Sequence, residues 1–150
     1  KNLCLNGKLQ LVKQNLLVHL KDNNTKIINK IPKNTYVKAI PAYLESILMN
    51  FITNGVKYKS PERDPILILS VKKVKNHIIL SIKDNGIGLD LEKYGDKLFG
   101  MYNTFHKNKD AKGMGLYITK NQIEAMNGKI TVESELGKGT TFNIFFNEEN

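Results

Sequence analysis

The chain is poor in the residues on which several function classes depend. Its one cysteine, Cys4, excludes an internal disulfide framework and any cysteine-based zinc site, and it suits a reducing compartment. No run of about 18 apolar residues occurs, so no segment is expected to span a membrane. No signal peptide is visible, and the first residue is Lys1 rather than Met, as expected of a piece cut from a longer protein. Arg63 is the only arginine, although the formal net charge is +9. The positive charge comes from scattered lysines, whereas arginine is the side chain favoured for base and phosphate recognition. That balance argues against a nucleic-acid partner. With 150 residues and 41% hydrophobic content, the chain suits one domain with a proper core.

Apolar spacing at Leu9, Val12, Leu16 and Leu20 predicts a helix over residues 8–22, ended by Asp22-Asn23-Asn24. Thr25–Ile31 and Thr35–Ile40 read as short strands on either side of Pro32. Pro41 opens a helix that runs to about Tyr58. Ile66–Val74 and His77–Lys83 form an antiparallel hairpin around Lys75-Asn76. Residues 85–112 are polar and lack a period, as a functional lid does. Gly113–Met126 is a helix with Leu116, Thr119, Ile123 and Met126 inward, stopped by Asn127-Gly128. Lys129–Ser134 and Thr140–Phe146 are the final strands. This order predicts an α+β two-layer sandwich: a mixed, mainly antiparallel sheet of about five strands, covered on one face by about three helices.

The chemistry concentrates at Asp84-Asn85-Gly86-Ile87-Gly88. On the strand's period of two, Leu80, Ile82 and Asp84 share the apolar face, so the acid needs a donor partner or a ligand. Gly86 and Gly88 permit close backbone approach. On the helix of residues 41–58, Asn50, Asn54, Lys57 and Tyr58 fall on one arc, with Ile47 intruding. Leu44, Leu48, Phe51, Ile52 and Val56 take the other side. Amide oxygens are hard ligands for Mg²⁺, and a lysine one turn on can meet phosphate oxygens. Lys112-Gly113-Met114-Gly115-Leu116 places glycines at a helix start, where free amides face an anion. Gly137-Lys138-Gly139-Thr140-Thr141 is a tight connection before the last strand.

In this order and spacing, these elements resemble the ATP-binding catalytic domain of sensor histidine kinases (the Bergerat fold), within the group that includes gyrase, Hsp90 and MutL ATPases. Residues 43–58 look like the family's N box and Asp84–Gly88 like its first glycine box. Leu98–Phe105 look like the F box, and Gly113–Leu116 like the second glycine box. The resemblance implies that Asp84 accepts the adenine amino group, with Gly86, Ile87 and Gly88 passing close to the base and Thr140 near the pocket. It implies that Asn54 binds Mg²⁺ with Asn50 in support, that Lys57 contacts phosphate and that Tyr58 lies near the nucleotide. Lys112, Gly113, Met114, Gly115 and Leu116 would hold the phosphates beneath a lid of residues 90–112. The implied cofactors are ATP and Mg²⁺. Residue 50 is a glutamate in the clamp-type ATPases; here it is an amide, which cannot act as a base near neutral pH.

Two positions depart from the pattern: Ala111 replaces the first glycine of the usual run, and Thr104 stands where an arginine often meets the γ-phosphate. None of the histidines fits a phosphoacceptor. His19 lacks a following acid, His77 lies in a hairpin and His106 in the lid. The expected partner is therefore a dimerisation and histidine phosphotransfer domain of the full-length protein, preceding Lys1, with a response regulator served indirectly. Residues 1–24 would be the linker or first helix after that domain, and residues 25–150 the catalytic domain. The piece is expected to be monomeric, cytoplasmic and without membrane contact, whether or not its parent is anchored in the inner membrane. A docking module that binds nucleotide weakly, or another ATPase of the group, is the alternative.

Overall fold

A computed structural model describes residues 2–94 and 116–147. The chain opens with strand β1 (Asn2–Cys4), then helices α1 (Leu5–Asn15) and α2 (Leu17–Asp22). Strands β2 (Lys26–Asn29) and β3 (Tyr36–Lys38) precede helix α3 (Pro41–Lys57). The hairpin β4 (Ile66–Val74) and β5 (His77–Asp84) follows, then the short α4 (Leu91–Tyr94), α5 (Leu116–Ala125), β6 (Lys129–Glu135) and β7 (Gly139–Asn147).

Five strands form the main sheet in the order β2-β4-β5-β7-β6. β2 runs parallel to β4 and the other pairings are antiparallel. This is the mixed, mainly antiparallel sheet that the sequence order predicts. β1 pairs with β3 as a separate two-stranded ribbon, an element the sequence reading does not contain. Alternation along the strands sends Leu67 and Leu69, Ile78, Leu80 and Ile82, and Phe142, Ile144 and Phe146 to one buried face. The helices lie on that face: α3 packs against β4 and β5, flanked by α1 and α5.

Because α3 has neighbours on both sides as well as beneath it, Ile47 is as fully buried as Leu44, Leu48 and Ile52. On the same helix Phe51 meets Phe142 of β7, with ring centroids 4.7 Å apart. α1 contributes Leu5, Leu9 and Val12 to the same core. The single helix expected over residues 8–22 instead starts at Leu5 and is interrupted at Leu16. That residue's φ of −103° and ψ of 8° leave the helical range, although its N–H still bonds Val12 O at 3.0 Å. Lys75 and Asn127 sit at positive φ and close the β4–β5 turn and the end of α5. Among the described residues no helix is long and apolar enough to cross a membrane.

Gly55 marks where α3 meets the sheet. A Cβ there would run into Leu67 Cδ2, and Leu67 is fully buried. Alanine in a helix interior ordinarily gains about 0.5–1 kcal/mol over glycine. Here Gly55→Ala is expected to destabilise by about 1–3 kcal/mol through overpacking, read as a lower urea midpoint. A raised midpoint would show that Leu67 repacks freely.

Candidate nucleotide-binding site

Asp84 ends β5 on the buried side of the sheet, as its alternation with Leu80 and Ile82 requires. Its Oδ1 accepts from the N–H groups of Gly86 at 2.9 Å and Thr140 at 3.2 Å. Both bonds fall on the same oxygen, and Oδ2 has no hydrogen-bond partner among the described residues. Burial pushes the carboxyl above the ordinary aspartate value of 3.8, opposed by the bonds from Gly86 and Thr140.

Three chain segments are laced together around that carboxyl. Ile87 N–H donates to Tyr58 O at 3.0 Å, fixing the glycine loop to the end of α3. Gly137 N–H donates to Ile87 O at 2.8 Å. Ser134 Oγ accepts from Leu89 N–H at 2.7 Å, donates to Gly139 O at 3.0 Å and shares a bond of 2.7 Å with Thr140 Oγ1. The glycines follow from this closeness. A Cβ on Gly86 would come within 2.5 Å of Tyr58 O, and Gly88, at φ 75°, has the Glu135 carbonyl where its Cβ would be.

Two concavities meet here. A slot of about 20 Å³, room for about one water, is lined by Asn54, Tyr58, Asp84, Ile87, Gly88, Leu89, Thr140 and Phe142. Beside it a groove of about 600 Å³ runs along α3, lined by Asn50, Asn54 and Lys57 together with His19, Asn23 and Lys59. Asn54 borders both. Among the described residues the groove's lining holds amides and lysines and no carboxylate, which suits an anion. Asn50 Nδ2 donates to Thr119 Oγ1 at 2.8 Å, pinning α3 to α5. Lys57 Nζ lies 5.6 Å from the centroid of the Tyr58 ring.

The fold thus brings Asn50, Asn54, Lys57, Tyr58, Asp84, Gly86, Ile87, Gly88 and Thr140 together. Leu116 begins α5 with its side chain wholly buried in the core, so only its main chain is available to a ligand. Lys112, Gly113, Met114 and Gly115, like Thr104, His106 and Ala111, lie outside the described residues. Four site residues escape the sequence reading: Leu89, Phe142, Ser134 and Arg63. Ser134 and Phe142 sit on predicted strands without a motif of their own, Leu89 lies in the segment read as irregular, and Arg63 is flagged only by being the one arginine.

Residues 39–150 match the family model described as histidine kinase-, DNA gyrase B-, and HSP90-like ATPase. The chain belongs to that family, and its domain is the kind that sensor histidine kinases carry. It is 35% identical over 108 residues to cyanobacterial phytochrome A of Nostoc, covering 71% of this chain and 14% of that protein. To the sensor protein kinase WalK of Staphylococcus epidermidis it is 33% identical over 126 residues, covering 81% of this chain and 20% of that one. The chain therefore spans about a fifth or less of the length of these relatives. Its fold is similar to the catalytic domain of histidine kinase ThkA, with a TM-score of 0.84 at 17% identity over 99% of this chain and 97% of that one. It is also similar to the histidine kinase AdeS of Acinetobacter baumannii, with a TM-score of 0.78 at 21% identity over 100% of this chain and 68% of that one.

The raised Asp84 pKa carries a stability consequence. A carboxyl that holds its proton more tightly in the fold contributes fully below the unfolded value, and the contribution is lost as pH rises through the folded one. Asp84→Asn removes the ionisation, so it is expected to raise the melting temperature of the nucleotide-free chain at pH 7. The gain should shrink as pH falls through the raised value and vanish below 3.8. A pH-independent difference would show that the buried charge is not the source.

Proposed function

We propose that this chain binds Mg²⁺-ATP and presents the γ-phosphate to a histidine on a separate dimerisation and phosphotransfer domain of the same full-length protein. The observation that carries the reading is Asp84 Oδ2, an acceptor without a partner among the described residues, on a slot walled by Leu89 and Phe142. An adenine offers its amino group to that oxygen and its faces to those walls. The slot must widen before a purine enters, since its present volume suits about one water. Gly86 and Gly88 keep side chains off the loop that passes the base.

The donor set of the groove fits the rest of the ligand. Asn50 spends its donor on Thr119 and so retains Oδ1 as a ligand atom. Asn54, which lines both slot and groove, would hold Mg²⁺ through its amide oxygen, and Lys57 would supply a point charge for the phosphate oxygens. Bound Mg²⁺ would neutralise developing charge on the transferred group. The chain's own residues position the nucleotide; with an amide at residue 50 in place of a carboxylate, no base for water activation stands there. Hydrolysis by the isolated chain is accordingly slow, and transfer waits on groups that the partner domain supplies. The response regulator enters only after that transfer.

Calorimetric titration of the isolated chain with ATP and ADP, with and without Mg²⁺, tests this directly. Asp84→Ala is expected to weaken ATP binding about ten- to a hundredfold, the loss of about 1.5–3 kcal/mol for a bond to a charged acceptor. Unchanged affinity would place the base elsewhere. Asn54→Ala should weaken binding in Mg²⁺ and scarcely alter it in EDTA; equal losses in both would remove the metal role. Enzyme-like steady-state hydrolysis by the isolated chain would favour a clamp-type ATPase. Absence of binding up to millimolar nucleotide would make the chain a docking module.

A further inference from the structure

Arg63 stands in the loop between α3 and β4, and among the described residues every hydrogen bond of its guanidinium goes to a main-chain carbonyl. Nε donates to Asn85 O at 2.7 Å. The Nη2 group donates to Gly86 O at 3.0 Å and to Gly137 O at 2.9 Å, with Lys138 O at 3.5 Å on the margin of bonding range. One planar fork thus joins the glycine loop that follows Asp84 to the turn between β6 and β7. Asp84 Oδ1 takes its N–H donors from Gly86 in that loop and from Thr140, which follows that turn at the start of β7.

Asn85 completes the clamp from the other side. Its Oδ1 accepts from Ile66 N–H at 2.9 Å, and its Nδ2 donates to Asp64 O at 3.0 Å. The loop carrying Arg63 is therefore seated on the loop it holds. Ser60, itself buried, accepts Glu62 N–H at 3.1 Å and shapes the start of that seat. A cation that serves only solubility has no reason to satisfy carbonyls of two segments some fifty residues apart in sequence.

We propose that Arg63 is a positioning residue of the base slot: by clamping residues 85–86 to residues 137–138, it holds Asp84 in the orientation that leaves Oδ2 for a ligand. The proposal rests on the nucleotide reading above. It assigns the chain's one arginine a task that lysine cannot perform, because an ammonium is a compact point charge and cannot span both loops in one plane. Arg63 touches no ligand; it acts through the two loops.

The test uses Arg63→Gln and Arg63→Lys in the whole chain, with calorimetric ATP titration and site-resolved amide exchange. Both variants are expected to bind ATP about five- to fiftyfold more weakly than wild type. Exchange should quicken at Gly86, Ile87 and Gly137 while the β4–β5 hairpin and α1 keep their protection. Full rescue by Arg63→Lys would overturn the clamp in favour of simple charge, and so would quickened exchange throughout the fold, which marks general destabilisation. Should Arg63→Gln not fold, Arg63→Lys decides alone: wild-type affinity and exchange refute the proposal, and local loosening with weaker binding supports it. Wild type that binds no ATP defeats the nucleotide reading itself, whereas wild-type binding with unaffected variants defeats the positioning role alone.

Discussion

A carboxylate on the inner face of a sheet is the constraint around which this domain is arranged. Asp84 shares its strand face with Leu80 and Ile82, where an ionised group is costly unless donors meet it. Two N–H groups do so, and they come from segments that must then lie against the end of β5: the glycine loop directly after it and the start of β7. Holding those segments close brings Tyr58 O onto Gly86 and Glu135 O onto Gly88, which leaves no room for side chains there. The end of α3, the end of β5 and the β6–β7 turn thus converge because one oxygen has to be satisfied.

The other oxygen is where the arrangement stops short of completion. A fold optimised for stability alone would pair Oδ2 or replace the acid; among the described residues Oδ2 has no partner, and a carboxyl whose pKa is raised by burial lines a narrow slot. Residual instability of this kind is characteristic of sites organised for a ligand rather than for the apo state. The surrounding lattice of bonds through Ser134, Ile87 and Arg63 ties the segments around the carboxyl together.

Much of the arrangement was legible in the sequence, for identifiable reasons. α3 showed itself by its period despite the glycine at residue 55, which the structure explains by the side chain of Leu67 lying against it. The β4–β5 hairpin was marked by Lys75-Asn76, and Asp84 by an acid falling on an apolar alternation. The break at Leu16 left no trace, because leucine is a good helix former and the interruption is one of torsion, not composition. β1 was too short, at three residues, to show a period. The bonds of Arg63 were invisible for a different reason: their acceptors are carbonyls, which every residue carries, so only the tertiary fold can say which ones meet.

Among the described residues β6 forms one edge of the sheet, which bears on colloidal behaviour. A seven-residue edge strand presents unpaired amides and carbonyls to which a strand of another molecule can add. Along β6 the exposed positions are Lys129, Thr131, Glu133 and Glu135, so charges of both signs decorate the side turned from the core. A neighbouring copy docking there would have to bring such charges into register and strip their water. At the opposite edge, β2 is four residues long and flanked by exposed Lys26 and Asn29, too short to template extended pairing. Both described margins of the sheet are thus poorly suited to chain-to-chain strand addition.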